Sequence, residues 1–297
     1  MIYGASFSSE HARYLGLEPK EVFKTILDEW NFKYIRLSAQ WDLIEKEKGK
    51  YDFSELDYFM DETAKREGKV LLAVGQKIPR WPECHLPKWS VGLPEGEYKK
   101  TLFEFVKIVV ERYKNHPVLE IWQVENEPFL SFGVCRNFTE DDLKRELYLI
   151  KNSDALHPTM VTDSGELSLW RKTAKVADLF GTTMYRVVWH KNFGYLSYDW
   201  LPISFYRIKL WINGRSPDTA YITELQAEPW IPDDDVWNVS FEKQSKSMDL
   251  KRLRKNIEYA ARSGMPRAYL WGAEWWYWLR NQSRYEISDY IKTVNKY

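Results

Sequence analysis

The chain has 297 residues, and its 43 lysines and arginines balance 43 aspartates and glutamates, so the formal net charge is zero. Hydrophobic residues make up 44% and charged residues 29%. This globular composition excludes disorder over most of the chain, and it excludes the strongly basic surface that binds nucleic acid.

Short apolar runs bounded by turn residues recur along the whole chain and predict strands. Several of them are apolar without strict alternation, as strands buried on both faces should be. The predicted strands are Ile2–Ser8, Tyr34–Ser38, Val70–Gly75, Leu119–Val124, Thr159–Asp163, Leu179–Tyr185, Ala220–Glu224 and Ala268–Trp271.

Most of these strands follow a segment with helical spacing of its apolar residues. The predicted helices are Glu21–Trp30, Phe53–Glu67, Tyr98–Lys114, Glu140–Asn152, Leu167–Ala177 and Leu250–Ser263. Eight strand–helix units in about 300 residues predict an α/β fold, a single (β/α)8 TIM barrel. A doubly wound sheet would favour a glycine-rich phosphate loop after the first strand, and the turn there, Ser6 to Glu10, has no glycine.

No linker rich in proline, glycine or serine divides the chain, so we expect one catalytic barrel domain over residues 1–297. No stretch approaches the roughly 20 apolar residues of a membrane span. The N-terminus shows no signal peptide, which leaves a cytoplasmic protein and a secreted one with its signal removed as alternatives. Cys84 and Cys135 can form one disulfide at most.

Aromatic residues make up 16% of the chain, with 15 tryptophans and 19 tyrosines. Such rings offer a flat apolar face and a polar tip, which suits a sugar ring. A large core rich in tryptophan is the alternative. Two long irregular pieces, Gln76–Gly96 and Val187–Arg215, carry many of the rings and follow predicted strands. Loops at the carboxyl ends of barrel strands build the active site, so this placement favours substrate stacking.

Two glutamates close predicted strands. Glu127 follows the fourth strand and Glu224 ends the seventh. Strands four and seven stand across the barrel, so side chains at their upper ends can face each other over its mouth. A retaining glycosidase needs two carboxyl groups roughly 5–5.5 Å apart, one as nucleophile and one as acid/base. Carboxylates at the ends of apolar strands would be costly without a purpose; solvated strand ends are the alternative.

Three motifs carry a more specific signal: Asn-Glu-Pro at 126–128, Ile-Thr-Glu at 222–224, and the phrase from Trp41 to Phe53 after strand two. Together they resemble clan A of the glycoside hydrolases, whose members are retaining (β/α)8 β-glycosidases. The resemblance covers essentially the whole chain. It leaves the family open among families 5, 10 and 42, because Thr183-Met184-Tyr185 departs from the family 5 pattern and the segment before Glu127 departs from that of family 10.

By this resemblance Glu127 is the general acid/base, which must be protonated when the leaving group departs, and Glu224 is the nucleophile. The resemblance also implies four residues that contact the sugar or the nucleophile: Arg36 beside the nucleophile, Asn126 on the sugar 2-hydroxyl, Tyr185 donating to the nucleophile, and Trp271 beneath the cleaved unit.

Five more residues are candidates for substrate binding, because they lie in the clan motif or follow barrel strands: Trp41, Trp81, His190, Trp230 and Glu274. Glu228 is a weaker candidate for the nucleophile. Glu125 lies two residues before Glu127 and could be a buried partner for Arg36 or Lys77.

The five histidines show no metal-binding spacing, and no metal or organic cofactor is implied. The expected partner is an oligo- or polysaccharide substrate, with no nucleic acid or membrane; the oligomeric state stays open.

The predicted function is a retaining glycoside hydrolase that cleaves β-linked glycosides by double displacement. Endo action on a β-glycan (glucan, mannan or xylan) is favoured, because aromatics are spread over several loops and no second domain closes the cleft. An exo-acting β-glycosidase of the β-galactosidase or β-glucosidase type, a non-catalytic carbohydrate-binding barrel, and a transglycosylase remain as alternatives.

Overall fold

The computed structural model describes residues 1–231 and 235–294. Within these residues, eight strands form a closed barrel in the order β1-β10-β9-β6-β5-β4-β3-β2, and β7 and β8 form an antiparallel hairpin. The strands are β1 (Ile2–Ser6), β2 (Tyr34–Ser38), β3 (Lys69–Val74), β4 (Leu119–Val124), β5 (Thr159–Asp163), β6 (Leu179–Met184), β7 (Val187–His190), β8 (Gly194–Ser197), β9 (Ala220–Gln226) and β10 (Arg267–Trp271). All eight predicted strands are present, and the predicted (β/α)8 barrel is confirmed.

Helices follow most of the barrel strands, and two short 3₁₀ turns lie at Lys88–Ser90 and Pro217–Thr219. The helices are α1 (Ser9–Tyr14), α2 (Pro19–Asp28), α3 (Trp41–Ile44), α4 (Ser54–Ala64), α5 (Glu95–Tyr113), α6 (Glu140–Ser153), α7 (Ser204–Ile212), α8 (Phe241–Gln244), α9 (Leu250–Ala261), α10 (Ala273–Asn281) and α11 (Glu286–Val294). Among the described residues, no helix is long and apolar enough to cross a membrane.

The chain divides into two compact units. The β4 unit comprises Arg36–Ser164 and Trp170–Gly181, and the β9 unit comprises Met1–Ile35, Gly165–Leu169 and Thr182–Tyr297. A single domain over the whole length therefore stays a prediction.

In the β4 unit, parallel strand β4 pairs with β3 and β5, with Val74 opposite Val124 and Gln123 opposite Met160, and the β3–β4 register shifts between Val70 and Leu71. The fully buried Trp122 donates its indole N–H to Asp154 at 2.9 Å, so its one polar atom is satisfied. Helix α6 begins with a capping box in which the side chains of Thr139 and Asp142 bond each other's backbone N–H groups.

In the β9 unit, β10 pairs with both β1 and β9, and its register against β9 shifts between Ala268 and Leu270. The core of this unit is aromatic. Trp30 packs edge-on against Trp276 with 5.5 Å between ring centroids, and its N–H donates to Ser288 at 3.1 Å.

The helix predicted over Leu167–Ala177 is wrong, because this segment forms turns. Leu167 and Leu169 are largely exposed, so the apolar spacing does not mark a buried face. Trp170 adopts a left-handed φ of 62°, which interrupts helical geometry. Its buried indole donates to the carbonyl of Ser164 at 2.8 Å and fixes the turn.

The piece predicted to be irregular over Val187–Arg215 contains the β7–β8 hairpin and helix α7. Val188 pairs with Leu196 in the hairpin, and Tyr206 and Leu210 are buried one helical turn apart in α7. This spacing is the helical signal that the aromatic richness of the segment obscured.

Candidate active site

Glu127 lies three residues beyond the end of β4, nearly buried, with its backbone in the left-handed region at φ 46°. Its N–H donates to the Thr162 hydroxyl at 3.0 Å. Its carbonyl accepts a hydrogen bond from the buried Lys77 ammonium, also at 3.0 Å. The main chain at Glu127 is therefore fixed on both sides of its Cα.

Asn126 is oriented by three donors that converge on its amide oxygen. Arg36 Nη2 donates at 2.8 Å, the Thr162 hydroxyl at 3.0 Å and Gln123 Nε2 at 3.3 Å. Arg36 Nε also donates to Gln123 Oε1 at 2.8 Å. With the oxygen occupied, the amide nitrogen is the group left to donate to a ligand, as the 2-hydroxyl role requires.

Glu125 is a buried carboxylate that organises the loop after β3. It accepts the backbone N–H groups of Gln76 and Lys77, both at 2.7 Å. Lys77 is therefore a partner of Glu125, through its backbone N–H and through the charge of its ammonium. The Arg36 guanidinium donates to Gln123 and Asn126. Burial raises the pKa of Glu125 to about 7.

Glu146 is a fully buried residue of α6 whose carboxyl group interacts with that of Glu125. Both of its carboxyl oxygens are buried, and no donor from the described residues bonds them. Burial and then the charge of Glu125 raise the pKa of Glu146 well above its usual value. Both shifts favour protonated carboxyl groups, as expected for buried carboxylates that cannot both ionise.

In the β9 unit, Glu224 lies within β9 and is 5% exposed. The Tyr185 hydroxyl donates to its Oε2 at 3.0 Å. The pairing that the clan resemblance implied for these two side chains is therefore present.

Tyr185 is itself anchored by Glu166, a residue that the sequence interpretation missed. Glu166 Oε1 accepts the Tyr185 backbone N–H at 3.1 Å and also the Tyr206 hydroxyl. Burial raises the pKa of Glu166 to about 7, while the hydrogen bond from Tyr206 and the charges of Arg186 and Lys209 oppose the shift.

The predicted aromatic residues of the β9 unit lie close to this pair or to the strand ends. Trp230 packs edge-on against Tyr185 with 5.6 Å between ring centroids. Trp271 ends β10 with 7% of its surface exposed. Glu274 is fully buried at the start of α10, where its carboxylate accepts the Ser8 N–H at 2.5 Å.

The remaining candidates lie on loops. His190 is exposed at the end of β7, where its ring stacks on Phe193 with 5.0 Å between centroids. Trp81 is 65% exposed in the loop after β3. Glu228 lies 3.8 Å from His11 in the segment after β9.

Trp41 does not present its ring to a ligand, contrary to our expectation. It is fully buried, stacked on Phe105, and donates its indole N–H to Glu45 at 2.7 Å. Glu45 also accepts the Gly49 N–H at 2.7 Å. The clan motif around Trp41 thus forms a buried, hydrogen-bonded turn after β2.

The structure brings Arg36 together with Asn126 in one unit, and Tyr185 together with Glu224 and Trp230 in the other. It adds Gln123, Thr162, Glu146 and Glu166, which the sequence interpretation missed. Their signal in the sequence is weak, since a lone polar residue in an apolar segment marks burial without naming its partner. Within residues 1–231 and 235–294, no cluster of three histidines, cysteines, aspartates or glutamates is arranged to hold a metal ion.

Comparison with known proteins places the sequence likeness in residues 21–141, which match the Glyco_hydro_42 family model, described as β-galactosidase. A β-galactosidase of Arthrobacter sp is 32% identical over 120 residues, which are 34% of this chain and 17% of that protein. β-Galactosidase Pbg of Clostridium perfringens is 31% identical over 105 residues, 29% of this chain and 15% of that protein. The chain thus matches less than a fifth of the length of these curated relatives.

Solved structures share the fold over most of this chain. The β-galactosidase from the psychrophilic Marinomonas ef1 superposes with a TM-score of 0.62 at 15% identity, over 91% of this chain and 54% of that one. Xylanase 10B from Thermotoga petrophila, solved with xylobiose, gives 0.58 at 16% identity, over 91% and 81%. These neighbours show the same barrel fold, and the family match over residues 21–141 confirms the resemblance to clan A.

Proposed function

We propose that this chain is a retaining β-glycoside hydrolase in which Glu224 is the nucleophile and Glu127 the general acid/base. The observation that carries the proposal is the Tyr185–Glu224 hydrogen bond on β9. A tyrosine hydroxyl that donates to one carboxylate oxygen fixes the orientation of the carboxylate, as a nucleophile requires. The fixed amide of Asn126, next to Glu127, supports the same assignment.

In the first step, a Glu224 oxygen attacks the anomeric carbon and the bond to the glycosidic oxygen breaks. Glu127 transfers its proton to that oxygen, so the aglycone leaves as an alcohol and a covalent glycosyl-enzyme forms. In the second step, Glu127 takes a proton from water while the water oxygen attacks the anomeric carbon and the bond between that carbon and Glu224 breaks. The sugar is released with its original configuration, and both glutamates return to their starting states.

Two hydrogen-bonded supports prepare these steps. Asn126 offers its amide nitrogen to a sugar hydroxyl because its oxygen is held by three donors. Glu166 fixes the backbone at Tyr185 and so the reach of the phenol toward Glu224. Preorganised donors of this kind stabilise developing charge without reorganising during the reaction.

Endo action on a β-linked polysaccharide is our leading proposal for the mode of cleavage. The exposed rings Trp81 and Phe132 lie on separate segments of the β4 unit, which suits a substrate longer than one sugar. An exo-acting β-galactosidase is the second candidate, because the curated relatives are β-galactosidases.

The test is a panel of aryl β-glycosides and β-linked polysaccharides, run beside Glu224→Ala. Activity on polymer with a ladder of products, lost in the variant, supports endo action. Activity on an aryl β-galactoside with single sugars released supports the exo candidate. Binding of polysaccharide without hydrolysis by the wild type would overturn the catalytic proposal in favour of a binding barrel.

A further inference from the structure

Two aromatic rings of the β4 unit are left exposed side by side. Trp81, in the loop after β3, is 65% exposed, and Phe132, in the segment after β4, is 44% exposed. Their centroids are 5.7 Å apart with the rings at 65°, so they form one apolar corner. Exposed large rings in contact with each other mark a binding surface more often than scattered single residues do.

This aromatic corner is braced by covalent and backbone contacts. Cys84 and Cys135 form a disulfide that joins the two segments. The Val134 N–H donates to the carbonyl of Pro82 at 3.0 Å. Gly133, at φ 99°, packs so closely that an added Cβ would lie 2.5 Å from the Glu83 Cβ. The corner is therefore preformed, and a ligand would not have to order it.

The loop that carries Trp81 also contacts the proposed acid/base, Glu127. Lys77, in the same loop as Trp81, donates from its buried ammonium to the carbonyls of Glu127 at 3.0 Å and Leu130 at 2.8 Å. Phe132 follows Glu127 by five residues, so their Cα atoms lie at most about 18 Å apart. A saccharide cleaved beside Glu127 can therefore reach the corner within a few sugar units.

The chemistry of the corner fits a sugar ring. Indole and phenyl faces pack against the C–H groups of a pyranose while its hydroxyls stay in water.

We propose that Trp81 and Phe132 form an outer saccharide subsite, and that the Cys84–Cys135 disulfide keeps it formed. This inference rests on the proposed function and extends it, because it makes the preference for longer substrates depend on the disulfide. Reduced protein would cleave short glycosides normally and long ones poorly.

The test compares kcat/KM on an aryl β-glycoside with that on oligosaccharides of two to six units of the preferred sugar. In Trp81→Ala we expect about a tenfold loss on the longer oligosaccharides, equal to about 1.4 kcal/mol, and less than a twofold change on the aryl glycoside. Phe132→Ala changes the same substrates to a smaller extent. Trp81→Phe keeps a ring and restores most of the loss, which separates stacking from misfolding.

Trp211→Ala is the matched control, because Trp211 is an exposed tryptophan of α7 in the other unit. It leaves both substrate classes unchanged. The Cys84→Ser/Cys135→Ser variant repeats the selective loss, and dithiothreitol produces it in the wild type without affecting the double variant further.

Calorimetric titration of the same oligosaccharides separates the subsite from the catalytic proposal. If the wild type binds them without hydrolysis and Trp81→Ala binds about tenfold more weakly, the subsite stands and the catalytic proposal fails. The subsite is overturned by an equal loss on short and long substrates, by no loss on either, or by a wild type that neither binds nor cleaves any oligosaccharide.

Discussion

The ends of β4 and β9 hold their glutamates by opposite means. After β4, Glu125 and Glu127 have left-handed φ values of 60° and 46°. The N–H and the carbonyl of Glu127 are both hydrogen-bonded. At β9 the strand continues past Glu224 to Gln226, and the contact is made to the carboxylate itself by Tyr185. Strained backbone is uncommon for non-glycine residues and is kept where the surroundings enforce it.

The difference suits the proposed roles. A nucleophile has to keep one carboxylate oxygen in place, which a hydrogen bond to the other oxygen achieves. An acid/base has to gain and lose a proton, and the two hydrogen bonds to the Glu127 backbone hold its main chain in place during that exchange. Substitutions at the end of β4 or at Glu224 on β9 should therefore have different effects.

The largest effect is expected at the carboxylate of β9. Glu224→Gln should reduce turnover of every β-glycoside below detection, because no covalent intermediate can form. Added azide should rescue Glu224→Ala and yield the glycosyl azide of inverted configuration, as seen by NMR. Turnover near the wild-type rate in either variant would remove Glu224 from the mechanism.

At the β4 end, Glu127→Gln should act selectively on the leaving group. Glycosides with poor leaving groups should lose about 10²–10⁴-fold in rate, the usual contribution of a positioned acid. Dinitrophenyl glycosides need no proton to depart, so they should still give a burst, followed by slow release of the trapped sugar. An equal loss with all leaving groups would contradict the assignment.

The contact made by Tyr185 should be worth less than either glutamate. Tyr185→Phe removes a hydrogen bond to a charged group, which is worth about 1.5–3 kcal/mol, so kcat/KM should fall about 10- to 100-fold with little change in thermal stability. Tyr195→Phe is the control, since that hydroxyl donates to the Trp230 carbonyl at 3.3 Å. Similar losses in both variants would mean that the Glu224 contact has no special value.

The backbone support of β4 can be disturbed at Gly75, which has a φ of 130°. An added Cβ would lie 2.2 Å from the Glu125 carboxylate, so Gly75→Ala should lower the free energy of unfolding by about 1–3 kcal/mol and lower activity with it. Gly96→Ala, in helix α5 with open space around it, should instead stabilise the protein by about 0.5–1 kcal/mol. Urea unfolding of both variants measures these free energies. A Gly75→Ala variant as stable as the wild type would show that the loop moves to accommodate the added Cβ.

The smallest effect concerns the buried pair Glu125 and Glu146. Their pKa values in the folded protein lie above the usual value of 4.5 because both are buried. Between about pH 4.5 and 7 the folded protein therefore holds protons that the unfolded chain releases, and the free energy of unfolding falls as pH rises through this range.

Glu146→Gln removes one of the two acids, so its free energy of unfolding should fall less steeply with pH. Between pH 5 and pH 8 the variant should therefore become more stable relative to the wild type. Urea unfolding at pH 5, 6.5 and 8 tests this, with the exposed Glu242→Gln as control. Parallel pH profiles for wild type and Glu146→Gln would show that burial does not raise the pKa of Glu146.

The sequence by itself determined the barrel strands and the strand-end glutamates. A short apolar run without strict alternation is typical of a strand buried on both faces. Such runs predicted β2, β4 and β5 with the bounds that the structure shows. Glu127 and Glu224 stood out because a carboxylate at the end of an apolar strand is costly, and the clan motifs around them implied the proposed roles.

Tertiary structure decided which side chains meet, because partners far apart in the chain leave no local pattern. It placed Trp41 in the core and left Trp81 exposed, although both are tryptophans after barrel strands. It gave Glu125 two backbone donors, and it joined Cys84 to Cys135. Residues 167–177 show the same limit: helical spacing predicts a helix only if a surface exists to bury its apolar face, and here Leu167 and Leu169 stay in solvent.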